Sequence, residues 1–182
     1  DKHWELFRDG PGIRHELAGG FARIKSFFDQ VRNECGSEDV LAFDNGDTLN
    51  GTYPAVSTKG EAITGPLNLL KLDAWTVHWD FVFGTKRMQE LARKVDHPLL
   101  ACNCHRDETD ELMFSPSAVF ERGGVKVGVI GIAAFIIDEA FPPEVSKGVY
   151  FTLGREELTR HIKRLREEEN AELIAIRIVA GG

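Results

Sequence analysis

The chain has 182 residues, 42% of them hydrophobic and 28% charged, enough to bury one sizeable core, and no apolar stretch reaches transmembrane length. Its net charge of −7 argues against nucleic-acid binding through a basic surface, and means that an anionic substrate needs local positive charge such as a bound metal ion. Three cysteines, Cys35, Cys102 and Cys104, do not make a disulfide framework, and no signal peptide is visible, so the compartment stays undetermined.

Strand-like and helix-like segments alternate along the chain. Residues 21–32 place Phe21, Ile24, Phe27, Phe28 and Val31 on one helical face. The apolar run 40–43 predicts a short buried strand that feeds the turn Asp44-Asn45-Gly46-Asp47. Residues 62–72 are helical in pattern, with a start delayed by Gly65-Pro66. Residues 74–77 predict a second strand, 86–95 another helix, and 99–103 a third strand after Pro98. Two apolar runs then flank Arg122-Gly123-Gly124, which predicts a β-hairpin. Residues 156–168 form an amphipathic helix with Leu158, Ile162 and Leu165 inward, and 173–179 a last strand broken by Arg177.

This order predicts a layered α/β domain with a mostly parallel sheet. In such sheets functional side chains sit in loops at the carboxyl ends of strands, where Asp47, His78 and Asn103 all fall. Asp47 after a strand and a glycine can present its carboxylate to a metal ion, while the plainer reading is a turn in which Asp and Asn bond local amides. The next Asp after Asp44 comes three residues on, not two, which is the wrong order for an aspartyl-nucleophile phosphatase. His78 can ligate a metal through a neutral imidazole with Asp80 orienting the ring, or simply pack beside Trp79. Cys102-Asn103-Cys104-His105 has no second pair of ligands for structural zinc, and both thiols are expected to pack on one face of a strand. Val127-Gly128-Val129-Ile130-Gly131 lacks the third glycine of a dinucleotide fingerprint, and the charge run 160–169 is explained by a solvated helix face.

Taken in order, Gly19-Gly20-Phe21-Ala22-Arg23-Ile24, Asp44-Asn45-Gly46-Asp47-Thr48, Leu72-Asp73-Ala74-Trp75-Thr76-Val77, Pro98-Leu99-Leu100-Ala101-Cys102-Asn103 and Gly124-Val125-Lys126-Val127-Gly128-Val129-Ile130-Gly131 resemble the calcineurin-like metallophosphoesterases of the 5'-nucleotidase branch. The resemblance implies that residues 1–182 are one domain, the N-terminal portion of a catalytic domain built as a layered sandwich. It implies a dinuclear centre of divalent ions (Mn, Zn or Fe), a phosphoester or nucleotide substrate, and a role in nucleotide catabolism. Asp47 then matches the metal-bridging aspartate of the family's G-D motif, and Asp44 is a supporting residue. Where the family has G-N-H-[DE], this chain has Val77-His78-Trp79-Asp80, so His78 falls on a metal ligand and Trp79 on the histidine that assists at the phosphate. Asp1-Lys2-His3 spells the family's D-x-H, although the trimmed-looking start also fits a later part of that loop with the true motif lost. The family's last histidine motifs are missing, so the catalytic residues stay unknown and the activity of the chain alone is expected to be weak. The alternatives are another kind of phosphatase, or a non-catalytic α/β module that self-associates into a homo-oligomer through an unfinished sheet.

Overall fold

The computed structural model describes residues 3–6 and 16–178. The Asp1 reading, and that of the His3 side chain, lie outside the described residues. In chain order the elements are β1 (His3–Leu6), β2 (Glu16–Gly19), α1 (Phe21–Cys35), β3 (Phe43–Asp44), α2 (Tyr53–Ser57), α3 (Glu61–Leu70), β4 (Ala74–Trp75) and α4 (Thr85–Ala92). They continue as β5 (Cys104–Arg106), β6 (Ser117–Arg122), β7 (Val125–Ile132), α5 (Ile137–Ala140), β8 (Val149–Phe151), α6 (Arg155–Glu167) and β9 (Leu173–Ile178).

Two small sheets build the centre. In the first, β3 and β4 pair in parallel, and a parallel bridge from Trp75 to Leu99 adds the next segment. In the second, β6 and β7 form the expected antiparallel hairpin and β9 joins β7 in parallel. Side-chain alternation sorts the residues of both sheets into layers. Ala42, Trp75, Val77, Leu99 and Ala101 point into one core with Ile63, Leu67 and Leu70 of α3 and Met88 and Leu91 of α4. Ala74, Leu100, Val127 and Val129 meet between the two sheets. Ile130 and Ile132 face Leu165, with Leu158 and Ile162 partly buried beside it. The result is helices, sheet, sheet, helix. Gly131 lets the two sheets touch, because a Cβ there would lie 2.1 Å from the carbonyl oxygen of Leu100.

Several elements differ from the sequence expectations. Residues 99–103 form no named strand: isolated parallel bridges reach Leu99 and Leu100, a turn follows at Cys102 and Asn103, and β5 then pairs antiparallel with β8. That turn places Cys102 and Cys104 in different clusters instead of on one face. α3 starts at Glu61 and runs through Pro66, since burial of Ile63, Leu67 and Leu70 outweighs one missing amide bond. α6 buries Glu157, His161 and Leu165, a stripe rotated from the apolar one that periodicity selects. α1 has no buried residue: Phe21, Ile24 and Phe28 pack against the main core, while Phe27 stays exposed. No helix among the described residues is long and apolar enough to cross a membrane.

Candidate active site

The parallel pairing of β3 with β4 sends both chains out at the same sheet edge. Asp47 stands three residues after Asp44, the end of β3, and His78 three residues after Trp75, the end of β4. The two loops are tied by one buried carboxylate. Oδ2 of Asp80 accepts from the amides of Asp47 (2.8 Å) and His78 (3.1 Å), and Oδ1 from those of Thr48 (2.8 Å) and Leu49 (2.9 Å). The sequence reading gave Asp80 the task of orienting the His78 ring; the structure spends its oxygens on backbone amides instead. Glycine is required at Gly46, where φ is +82° and a Cβ would lie 2.6 Å from the Thr76 carbonyl and 2.7 Å from the His78 amide.

Asp44 holds the loop, its oxygens accepting from the Gly46 amide (2.9 Å) and the Thr48 hydroxyl (2.8 Å). Asp47 is exposed, holds φ at +58°, and accepts from the Asn50 side-chain amide at 3.1 Å. A non-glycine residue in the left-handed region is strained, and such strain gathers at functional loops. His78 is half-buried, and its Nε2 is buried without a hydrogen-bond partner. A buried ring nitrogen left unpaired carries a desolvation cost that a partner would relieve.

Asn103, the third strand-end candidate, is a structural residue. Its carboxamide nitrogen donates to the carbonyls of Ala133 and Thr152, and its oxygen accepts from the Ala133 amide. Cys102 and Cys104 are fully buried thiols; burial pushes Cys102 up to about 12 and raises Cys104 as well, so both stay protonated near neutral pH. Among the described residues there is no group of three or more His, Cys, Asp or Glu that could hold a metal ion.

Two neighbours of the site escaped the sequence reading. Arg177 of β9 lies over the Phe43 ring, 4.7 Å from its centroid, and donates to the Asn45 side-chain oxygen. Its signal was visible only as a charge interrupting an apolar strand. Phe141 packs edge-to-face on Trp79, with ring centroids 4.9 Å apart, and nothing in the local sequence announces it.

Over 169 residues the chain is 32% identical to Protein 5NUC of Lutzomyia longipalpis, which covers 90% of this chain and 29% of that one. Over 158 residues it is 25% identical to a 5'-nucleotidase of Vibrio vulnificus, covering 85% of this chain and 29% of the relative. The chain is a relative of the 5'-nucleotidases. It spans 29% of the length of either protein, and no family model matches it. Among solved structures, the Thermus thermophilus 5'-nucleotidase precursor superposes with a TM-score of 0.82 at 23% identity, covering 96% of this chain and 33% of that one. The Thermus thermophilus sulfate thiohydrolase SoxB gives 0.83 at 22% identity, covering 88% of this chain and 30% of that one. At those identities the two structures establish the fold, a layered α/β arrangement shared with calcineurin-like phosphoesterases.

Proposed function

We propose that this chain carries part of a divalent-metal-dependent phosphoester hydrolase site, acting on a nucleotide or similar phosphate ester, with Asp47 and His78 as metal ligands. The observation that carries this reading is the shared Asp80 oxygen, which gathers the Asp47 and His78 amides at the carboxyl ends of paired parallel strands, beside an unpaired buried Nε2. The donor set, one carboxylate oxygen and one imidazole nitrogen, suits Mn²⁺, Zn²⁺ or Fe²⁺. A divalent ion held there supplies an activated water and charge stabilisation for the phosphoryl oxygens. Two protein ligands hold an ion weakly, so slow turnover is expected of these 182 residues alone.

Trp79 bears on the substrate. An indole donates no proton to a departing group, so esters with a poor alkoxide leaving group are disfavoured. Aryl phosphates, which release a phenolate, and S-sulfonates, which release a thiolate whose thiol has a pKa of about 8.5, need less of that help. One structural neighbour is a sulfate thiohydrolase, and a thiol-releasing hydrolysis is therefore the second substrate reading.

The test compares a 5'-nucleotide, an aryl phosphate and an S-sulfonated thiol as substrates of the pure chain with Mn²⁺, beside Asp47→Asn. Expected is slow, metal-dependent turnover of both phosphate esters, the nucleotide more slowly because its alkoxide is the poorer leaving group, reduced at least roughly 100-fold in the variant, the scale of losing a transition-state contact. Turnover of the S-sulfonated thiol would support the second substrate reading. Turnover unchanged by Asp47→Asn would remove the proposed role. Fast nucleotide turnover abolished by it would show that the site needs no proton from position 79.

A further inference from the structure

His78 stands at one end of a row of three rings. Its imidazole meets the Trp79 indole with centroids 5.1 Å apart and planes at 66°, and Trp79 meets Phe141 at 4.9 Å and 84°. Phe141 arrives from a distant stretch of sequence, directly after α5, and packs partly buried against the main core. Histidine ligands are ordinarily held by a hydrogen bond from the second ring nitrogen to a carboxylate or carbonyl, which fixes the ring's orientation. No described residue makes such a bond to the His78 ring, and the nearest carboxylate in sequence, Asp80, is engaged by four amides. Among the described residues the ring contact that bears on the imidazole is the edge-to-face one with Trp79, and Trp79 in turn packs edge-to-face on Phe141. Edge-to-face pairs at these separations are attractive and directional, so the row has a preferred geometry.

We propose that Phe141, acting through Trp79, is a positioning residue that fixes the His78 imidazole and so the direction of its Nε2. This rests on the reading of His78 as a metal ligand given above. The role of Trp79 is then to hold a ligand in place, where the family histidine would assist at the phosphate.

The experiment uses the metal-free chain and two readouts that need no turnover. NMR follows the nuclear Overhauser contacts of the His78 ring with Trp79, and electron paramagnetic resonance follows free Mn²⁺ during titration. Phe141→Leu keeps apolar bulk but removes the ring, and Phe141→Tyr keeps the ring. The expected result is that Phe141→Leu averages the His78 ring contacts and weakens Mn²⁺ binding roughly tenfold, the usual loss when support behind a ligand is removed. Phe141→Tyr is expected to stay within about twofold of the parent chain on the same scale. Should Phe141→Leu fail to fold, Trp79→Leu, which removes the middle ring, is read instead with the same expectation. An unchanged His78 ring in the leucine variant overturns the proposal. So does a mobile ring with unchanged Mn²⁺ affinity while His78→Ala loses it, although His78 then remains a ligand. If His78→Ala binds Mn²⁺ as the parent does, the ligand reading itself fails and the positioning role falls with it.

Discussion

Asp80 is 1% exposed and no cation pairs with it among the described residues, yet its carboxylate is well solvated by four amide N–H groups. Charge-assisted bonds of this kind are roughly twice as strong as neutral ones, and together they offset the cost of burying the charge. Asp80→Asn replaces one acceptor oxygen by an amide group that faces amide donors. The expected loss is about 3 kcal/mol of stability, or roughly 10 °C in melting temperature for a chain of this size. Chemical denaturation checks it, and a loss below about 0.5 kcal/mol, the scale of an ordinary surface change, would show that the amides find other acceptors. Asp47 and His78 should then shift together, since the same oxygen holds both backbones.

At the scale of elements, α6 is fastened to β5 and to the residue that follows β8 by a polar knot. Glu157 Oε1 accepts from the Thr152 hydroxyl at 2.7 Å and lies 3.3 Å from His105 Nε2, while His105 Nδ1 lies 3.1 Å from the Asp110 carbonyl oxygen. Burial acts to raise the Glu157 carboxyl, but the bonds from Thr152, the backbone amide and His105 outweigh it and leave it below its ordinary 4.5. A carboxyl lowered in the folded state adds stability above the unfolded value, and loses it as pH falls through the folded one. Stability should therefore drop below about pH 4.5, and Glu157→Gln should show a smaller drop between pH 7 and 3.5 than the parent. Urea midpoints at the two pH values decide it; parallel losses in both chains would place the acid sensitivity elsewhere. Periodicity could not have indicated this knot, because it draws on a helix, a strand and two loop residues.

At the scale of the molecule, β9 pairs with β7 on one side, and Leu173, Ile176 and Ile178 along it are 54%, 39% and 56% exposed. A strand edge with apolar side chains is a template for association, which bears on the alternative of a self-associating module. The 182-residue chain is expected to sediment as a concentration-dependent mixture, and Ile176→Lys with Ile178→Lys as a monomer. A parent chain monomeric at all concentrations would remove that alternative and leave the hydrolase reading untouched.

The sequence by itself determined the helices α1, α4 and α6, the last strand β9, the hairpin around Gly123-Gly124, and the loops that follow β3 and β4. Apolar spacing and turn residues encode these locally, because each depends on neighbours only a few positions away. It also carried the kinship with 5'-nucleotidases, through ordered motifs rather than any single residue. Only the tertiary structure decided that Asp80 serves the backbone, that Asn103 is structural, and that the segment 99–103 turns before it can become a strand. The same holds for Arg177 over Phe43 and Phe141 against Trp79. Each of these joins residues distant in the chain, and their meeting is set by sheet pairing and layer packing, which local periodicity does not specify.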